Sequence, residues 1–318
     1  MYPLILNAPL KDYIWGGTRL KSEYGFESDK DKVAEAWVLS CHKDGANTVI
    51  NGEFAGKTLS EVLGIWGEKS LGENACKFEY FPILIKLIDA CDKLSVQVHP
   101  DDEYALKVEG EYGKTEMWYI VDCNPGAKLL YGFKNEISKD EFAERIKSNT
   151  LDDVVNYVNV NKGDVFFIPA GTLHAIGEGI LIAEVQQNSN TTYRVSDYGR
   201  LGADGNPREL HVEKAKDVTL TVPPMHPYGN IGNSREAGDT VIRELVKCDK
   251  FTAEHLSLKG EFDILNDDSF VSIVVLEGNA TLKWDNEAME LAKGSSVFVP
   301  AGLAVKLCGV ASVLCSRI

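Results

Sequence analysis

The chain has 318 residues, of which 44% are hydrophobic and 25% are charged. This is enough apolar material for one large core or for two adjoining cores of ordinary domain size. The net charge of −15 argues against binding to nucleic acid or to an anionic membrane, because both require a basic face. It still allows a small anionic ligand, which needs only a few cations gathered in one cleft.

The sequence favours a cytoplasmic protein without a membrane partner. No apolar run approaches the roughly 20 residues that span a bilayer. The first ten residues, MYPLILNAPL, lack a basic start and a small-residue cleavage site. The seven cysteines show no CxxC spacing, so we interpret them as buried, reduced thiols.

Short strands rich in Val, Ile and Phe dominate the chain, and Gly, Asn, Asp and Pro separate them. In chain order, the predicted strands are 82–88, 94–98, 117–122, 164–168, 180–186, 271–276 and 295–299. The predicted helices are few and resemble insertions, at 58–66, 101–108, 138–148 and 211–216. Ser138 and Glu141 have the spacing of a capping box. The pattern is typical of an all-β barrel or sandwich rather than of alternating βαβ units.

An internal repeat divides the chain into two related parts. GDVFFIPAGTLHAI at 163–176 matches GSSVFVPAGLAVKL at 294–307 in its glycine, its apolar strand and its Pro-Ala-Gly turn. His174 of the first copy falls opposite Val305 of the second, which predicts one working barrel and one structural barrel. The Pro-rich turn near 225 marks the boundary. The expected domains are a catalytic barrel with helical insertions, 1–225, and a degenerate barrel without a metal site, 226–318.

Four side chains at predicted strand ends have the chemistry of metal ligands. Alternation along 94–100 places Ser95, Gln97 and His99 on one face, which is either an ordinary solvent face or the mouth of a barrel. Glu116 opens the next strand, and His174 follows the first Pro-Ala-Gly turn. Gln, His, Glu and His together suit zinc, but the same set also accepts iron, manganese or nickel.

Two lysines and one arginine-containing segment are further candidates for the functional site. Lys114 lies two residues before Glu116, so on an extended strand both side chains project to the same side. Lys86 lies inside the apolar run PILIKLI, where a lysine is costly unless it faces a polar cavity. By composition alone, the segment 191–200, TTYRVSDYGR, reads as an exposed polar hairpin.

Four motifs resemble those of type I phosphomannose isomerases, and their order also agrees. The motifs are LSVQVHPDD at 94–102, GKTEMWYI at 113–120, IPAGTLHAIGEG at 168–179 and EVQQNSNTTYRVSDYGR at 184–200. The resemblance extends from NAPLKDYIWGGTRL at 7–20 into the second barrel, and it is closest to the short bacterial form within the cupin superfamily. It implies a mainly β fold of two cupin-like jelly-roll barrels with small helical insertions.

The resemblance also assigns roles to particular residues. It implies a Zn²⁺ ion held by His99, Glu116 and His174, with Gln97 completing the ligand set. It makes Arg194 the active-site arginine and Lys114 an active-site lysine. The expected substrate contacts are Ser95, Lys86 and Arg200, although Ser95 is equally readable as an ordinary strand serine.

The expected reaction is the reversible interconversion of mannose 6-phosphate and fructose 6-phosphate through a cis-enediol. Zinc and Arg194 would both stabilise the negative charge that develops on the sugar oxygens. The proton-transferring base is left open between Lys114, a zinc-bound water and a histidine. Two alternatives are an iron-dependent cupin dioxygenase and a sugar-phosphate-binding cupin without turnover. The expected assembly is a monomer or a homodimer.

Overall fold

A computed structural model describes residues 1–202 and 205–318, and within them the chain is mainly β, as predicted. The strands of the first part are β1 Leu4–Asn7, β2 Leu10–Lys11, β3 Glu35–Leu39, β4 Cys41–His42, β5 Gly45–Ala46, β6 Thr48–Val49, β7 Ile83–Ala90, β8 Val96–Val98, β9 Glu116–Cys123, β10 Lys128–Phe133, β11 Val155–Asn159, β12 Val165–Ile168, β13 His174–Ile176, β14 Ile180–Gln187 and β15 Tyr193–Ser196. Those of the second part are β16 Ser234–Ala237, β17 Thr240–Lys247, β18 Thr252–Ile264, β19 Val271–Trp284, β20 Glu287–Leu291, β21 Ser296–Val299 and β22 Val305–Arg317. The α-helices are α1 Arg19–Ser22, α2 Leu59–Trp66, α3 Asp102–Val108, α4 Lys139–Lys147 and α5 Val212–Val218.

All seven predicted strands and all four predicted helices are present, with bounds shifted by a few residues. The strand expected at 271–276 is the beginning of the longer β19. The capping box predicted at Ser138 is only half formed. The Ser138 hydroxyl accepts the Glu141 N–H at 3.0 Å, but the Glu141 carboxylate accepts from Arg145 instead. The reciprocal box occurs at the start of α2, between Thr58 and Glu61.

Two antiparallel sheets form the first unit. One has the strand order β12-β9-β14-β7-β3-β2, and the other has the order β11-β10-β13-β8-β15. A buried apolar cluster lies between them, with Trp118, Phe166 and Ile182 from the first sheet and Leu129 and Ile176 from the second. The outer face of the five-stranded sheet packs on helices α4 and α5. The chemistry described below lies between the two facing sheets.

A nine-stranded sheet forms the second unit, with the order β16-β17-β18-β22-β19-β21-β1-β6 and with β20 paired to β19. Strand β1 at the start of the chain pairs with β21 near its end, placing Leu4 opposite Phe298. Phe298 belongs to a buried cluster that also contains Ile85 and Met117 of the six-stranded sheet. The two units therefore share one apolar core as well as a strand pairing.

The internal repeat is visible in the structure. In each copy a four-residue strand, β12 or β21, leads through the Pro-Ala-Gly turn into a second strand that begins at His174 or Val305. The turn glycines Gly171 and Gly302 have φ values of 85° and 76°. Glycine adopts this left-handed conformation without the steric penalty that a side chain brings. His174 and Val305 therefore occupy equivalent positions in the two copies of the structure, as the sequence repeat predicts.

The seven cysteines are free, but the prediction that they are buried is correct only for Cys315, and four others are partly exposed. Cys76 and Cys91 are exposed, while Cys315 is buried. Cys76 lies in a short 3₁₀ turn and Cys91 follows the end of β7, so both fall outside the apolar faces of strands. Over the described ranges, none of the helices has the length and apolar character needed to cross a membrane.

The contact between the units includes a histidine whose protonation the fold opposes. The His255 ring stacks on Tyr119 of the six-stranded sheet, with 5.0 Å between ring centroids, and its Nε2 lies 2.7 Å from the Ser312 hydroxyl. Burial, with the nearby Arg243 guanidinium, lowers the pKa of His255 to about 4. The folded protein therefore protonates His255 only at a pH well below the pKa that this histidine has in the unfolded chain.

We expect this histidine to make the protein less stable in acid. Between pH 6.5 and about 4 the unfolded chain binds a proton that the folded state does not, so stability falls as the pH falls. The contribution is at most about 1.4 kcal/mol per pH unit. The free energy of unfolding, measured with urea across this range, should depend less on pH for His255→Gln than for the wild type. The exposed control His226→Gln should follow the wild type, and an unchanged slope in His255→Gln would contradict the assignment.

Candidate active site

Each of the two facing sheets contributes one row of cross-strand neighbours to the site. In the five-stranded sheet Tyr131 lies opposite His174, His174 opposite Gln97, and Gln97 opposite Arg194. Directly opposed residues of an antiparallel pair project from the same face. The register therefore gathers side chains that are almost 100 positions apart in the sequence.

The six-stranded sheet supplies the opposite row. Trp37 lies opposite Lys86, Lys86 opposite Glu184, and Glu184 opposite Trp118. Glu35 precedes Trp37 by two positions on β3, so it shares that face. Its carboxylate accepts the Trp37 indole N–H at 2.7 Å, and Glu184 accepts the Trp118 indole N–H at 2.8 Å. The two indoles hold the two carboxylates in fixed orientations.

His99, Glu116 and His174 form a buried group with the chemistry of a metal site. Their candidate ligand atoms all lie within 4.8 Å of one another. Glu116 Oε1 is 3.3 Å from His174 Nε2, and Glu116 Oε2 is 3.6 Å from His99 Nε2. None of the three residues is more than 1% exposed. The group joins the first residue of β9, the first residue of β13 and the residue after β8.

Backbone carbonyls orient both imidazoles toward Glu116. His99 Nδ1 is 2.9 Å from the Thr191 carbonyl oxygen, and His174 Nδ1 is 2.9 Å from that of Thr172. A carbonyl oxygen only accepts, so each Nδ1 carries the hydrogen and each Nε2 presents a lone pair to the site. Burial, with the Lys114 charge, lowers the pKa of His174 to about 3 and that of His99 well below its ordinary value. Both imidazoles are neutral near pH 7.

These three residues fit a divalent metal ion. Glu116 Oε1 is buried and, among the described residues, has no hydrogen-bond donor. Burial raises the pKa of Glu116 to about 8 even though Lys114 opposes the shift. Two imidazole lone pairs and one buried carboxylate directed at the same point are stabilised by a cation between them. The nitrogen and oxygen donors suit zinc and several other transition metals alike.

Gln97 lies beside this group on the neighbouring strand. Its Nε2 atom is 3.5 Å from His174 Nε2. A side-chain amide carries an oxygen and a nitrogen on the same carbon, so turning it over would bring Oε1 toward the same point. The predicted alternation of strand 94–98 is present from Ser95 onward: Ser95 and Gln97 line the cavity, while Val96 and Val98 pack beneath it. Leu94 does not follow this alternation, because it faces the core between the sheets.

Lys114 connects the group of His99, Glu116 and His174, called the metal-type group below, to a second set of buried ionisable residues. Its Nζ donates to His99 Nε2 at 3.0 Å and contacts Glu116 Oε2, and it lies 3.9 Å from Glu184 Oε1. Lys86 Nζ lies between Glu184, at 3.2 Å, and Glu35, at 3.7 Å. Acidic and basic groups therefore alternate in one buried chain: Glu35, Lys86, Glu184, Lys114 and Glu116.

The two lysines determine the ionisation of their neighbours in this row of five residues. Burial raises the pKa of Glu184, but Lys114, Lys86 and the Trp118 N–H outweigh it and lower that pKa to about 2. Burial lowers the pKa of Lys86, but Glu35 and Glu184 outweigh it and raise that pKa above its ordinary value. At neutral pH both side chains remain charged inside the protein.

A cavity of about 290 Å³ opens onto these residues. Five of the nine residues singled out from the sequence line it: Lys86, Ser95, Gln97, Lys114 and Arg194. The Arg194 Nη1 atom donates to the Glu209 carbonyl at 3.0 Å, and its buried Nε has no acceptor in the part of the chain that is described. A larger cavity, of about 680 Å³, lies beside α2 and is lined by other residues.

Arg208, which the sequence did not single out, lies at the cavity, whereas Arg200, an expected substrate contact, binds neighbouring residues. Arg200 binds Asp197, Asp92 and the Lys93 carbonyl, and the lining of the cavity includes Arg208 rather than Arg200. Arg208 also binds Asp197, at 2.6 Å from its Nε. Burial and the neighbouring Arg208 charge lower the pKa of Arg194. Two guanidinium groups are therefore close together at the cavity.

Sequence reasoning missed Glu35, Glu184 and Arg208. Glu184 lies inside the apolar run ILIAEVQ, so the reasoning that singled out Lys86 in its own apolar run applies to it equally. Glu35 precedes the apolar run AWVL and carries a similar, weaker signal. Arg208 had no signal of its own, because its segment of polar residues resembles an ordinary surface loop.

The fold and this site define a cupin-type β protein with a buried histidine–carboxylate–histidine group. Two family profiles match the chain: "Phosphomannose isomerase type I, catalytic domain" over residues 4–124 and "Mannose-6-phosphate isomerase, cupin domain" over residues 241–317. Mannose-6-phosphate isomerase ManA of Bacillus subtilis (strain 168) is 37% identical over 318 residues, covering 99% of each chain. The chain belongs to the type I phosphomannose isomerase family.

Two further comparisons agree. The mannose-6-phosphate isomerase of Streptococcus mutans serotype c is 37% identical over 298 residues, which cover 94% of this chain and 92% of that protein. The crystal structure of the mannose 6-phosphate isomerase from Bacillus subtilis superposes with a TM-score of 0.92 at 36% identity, over 100% of both chains. These similarities confirm the predicted family and the predicted cupin fold.

Neutralising Glu184 should destabilise the fold, because two buried ammonium groups would lose a shared partner. We expect Glu184→Gln to lower the free energy of unfolding by about 2–4 kcal/mol, since the amide keeps the Trp118 hydrogen bond but not the charge. Urea unfolding at pH 7 measures the change. Glu287→Gln, on the exposed strand β20, is the matched control and should stay within about 0.5 kcal/mol of the wild type. Equal stabilities for the two variants would show that the charge of Glu184 is not needed.

Proposed function

We propose that this protein interconverts mannose 6-phosphate and fructose 6-phosphate with Zn²⁺ held by His99, Glu116 and His174, and with Gln97 completing the ligand set. The names of its relatives support the reaction. The observation that carries the proposal is the position of Lys114, which lies beside the metal-type group and in the lining of the same cavity as Arg194. Aldose–ketose isomerisation needs these two elements together, a proton carrier and stabilisation of oxygen anions.

The reaction moves a proton between C1 and C2 of the sugar through a cis-enediol. A bound zinc ion would supply Lewis-acid stabilisation for the sugar oxygens. We assign the proton transfer to Lys114 Nζ, which as a neutral amine would take the proton from one carbon and, as the ammonium so formed, return it to the other. The His99 and His174 imidazoles are needed as ligands, and Lys86 is engaged by Glu35 and Glu184. Lys114 is held by Glu116 and Glu184, so it is fixed in position relative to a bound sugar. The Arg194 guanidinium would stabilise the developing enediolate.

The charge balance of the site favours a phosphorylated sugar. With a divalent ion bound and Glu116 ionised as its ligand, the two lysines, the three carboxylates and the ion would sum to +1. Arg194 and Arg208 add further positive charge at the cavity, and Arg194 Nε is a donor that remains for a ligand within the described structure. We propose that these two arginines, with Ser95, receive the phosphate. In this proposal Lys86 orients Glu184, and Arg200 acts through Asp197, which it shares with Arg208.

We retain three broader expectations as proposals. Residues 1–225 carry the catalysis, and residues 226–318 form a structural unit without its own metal site. This division is supported by Val305 at the repeat position of His174. The enzyme works in the cytoplasm, as a monomer or a homodimer.

A coupled assay for fructose 6-phosphate formation, on protein stripped by a chelator and then restored with zinc, tests the reaction and the metal together. We expect activity to disappear on stripping and to return with zinc. His174→Ala should bind zinc at least about tenfold more weakly and lose turnover, because one neutral imidazole ligand is missing. His226→Ala, an exposed histidine that does not belong to the group, is its control. Folded, zinc-loaded wild type without turnover would refute the isomerase, whereas activity restored by iron with oxygen uptake would favour the dioxygenase.

Arg194→Ala should separate catalysis from metal binding. We expect zinc affinity and thermal stability close to those of the wild type, and kcat lower by about 10²–10³, the usual effect of removing one group that stabilises an oxyanion. Steady-state kinetics and a zinc titration measure the two properties. Arg235→Ala, on the exposed edge strand β16, is the control. A normal kcat in Arg194→Ala would remove this arginine from the mechanism.

A further inference from the structure

Asp102 binds three separate parts of the chain with one carboxylate. Its Oδ1 accepts the Gly113 N–H at 2.8 Å and the Gln187 side-chain amide at 2.8 Å. Its Oδ2 accepts from Lys250 Nζ, also at 2.8 Å. Asp102 lies three residues after His99, and it is the first residue of helix α3.

Two of these contacts lead directly to the reacting groups. Gly113 precedes Lys114, and Gln187 Oε1 accepts the backbone N–H of Thr115 at 2.9 Å. The backbone on both sides of Lys114 is therefore tied to the Asp102 carboxylate, once directly and once through Gln187. The residue after Thr115 is Glu116, whose position sets the metal-type group.

The segment is also packed tightly against the helix start. A Cβ atom on Gly113 would lie only 2.4 Å from the carbonyl carbon of Asp101, so only glycine allows this approach. The Lys114 N–H donates to the Pro100 carbonyl at 3.0 Å. The segments 99–102 and 113–116 therefore behave as one unit that holds His99, Lys114 and Glu116 together.

The third contact comes from the C-terminal part of the chain. Lys250 lies in the turn between β17 and β18, far in sequence from every group of the site. Lys250 also lies 3.3 Å from Asp249, but its shorter contact is with Asp102. An ammonium on Oδ2 fixes the carboxylate plane, so that Oδ1 stays directed at Gly113 and Gln187.

We propose that Asp102 is a positioning residue for Lys114 and Glu116, and that Lys250 of the C-terminal unit holds Asp102 in place. The second unit, which carries no metal group of its own among the described residues, thereby contributes to the geometry of the site. The effect on turnover rests on the proposed isomerase reaction. The effect on metal affinity does not, because it follows from the position of Glu116 alone.

The test uses five variants of the full chain and three measurements: kcat and KM, the zinc dissociation constant by competition with a chelating dye, and the thermal unfolding temperature. The variants are Asp102→Asn, Lys250→Met, the double variant, Lys250→Arg and Lys293→Met. Lys293 is the matched control, because it also joins the C-terminal unit to an N-terminal carboxylate, Glu23, at 3.4 Å and with similar exposure. Glu23, unlike Asp102, does not contact the segment that carries Lys114.

We expect Asp102→Asn to weaken zinc binding and kcat about tenfold or more, as for other groups that support metal ligands. Lys250→Met should lower both about threefold, within the range that one partly exposed ion pair supplies, with little change in KM. Lys250→Arg, which keeps the positive charge, should have the kcat and zinc affinity of the wild type. In the double variant, Lys250→Met should add nothing to Asp102→Asn, because it acts through that residue. Lys293→Met should leave kcat and zinc affinity unchanged.

Two results would overturn the proposal. One is a loss of thermal stability in Asp102→Asn and Lys250→Met without any change in kcat or zinc affinity, which would make the contact merely structural. The other is a full, additive effect of Lys250→Met in the Asp102→Asn background. If the wild type lacked isomerase turnover, the proposed function would fail, and the zinc titration alone would decide the positioning role.

Discussion

Five buried ionisable groups, alternately acidic and basic from Glu35 to Glu116, are the constraint on which the site depends. An unpaired charge in a protein interior costs several kcal/mol, so each of these groups must keep its neighbour. The cross-strand register makes this possible, because it sets Lys86 directly opposite Glu184. Indole N–H groups from Trp37 and Trp118 bind the carboxylates further. A slip of one residue in any of these strands would turn the charges to the opposite face of the sheet.

The same constraint supports the cation and the anionic sugar that we propose for the site. This row of groups ends at Glu116, whose Oε1 atom has no donor in the described structure and faces the His174 imidazole, while its Oε2 atom faces the His99 imidazole. The carbonyls of Thr191 and Thr172 fix the lone pairs of these imidazoles in place, since each occupies the other ring nitrogen. Rigid support of this kind prepares ligands for a metal before it binds. The basic groups beyond the metal position face the cavity, where a phosphorylated substrate would neutralise them.

The second unit is joined to the first by more than a linker. Strand β1 completes its sheet, and a single apolar cluster runs from Met117 to Phe298. The unit also sends Lys250 to Asp102, at the base of the segment that carries Lys114. The unit that has Val305 at the repeat position of His174 therefore packs against the first unit and also contacts the segment beside the site.

The sequence by itself determined the strands, the repeat, the family and the groups at the ends of strands, because these depend on local alternation, turn residues and motifs. His99, Glu116 and His174 were found in this way. Only the tertiary structure decided which charges neutralise one another, since Glu184 becomes the partner of Lys86 and Lys114 through strand pairing. It also decided that Arg208, rather than Arg200, lines the cavity. Pairings between distant segments depend on sheet register and packing, and no local pattern in the chain encodes them.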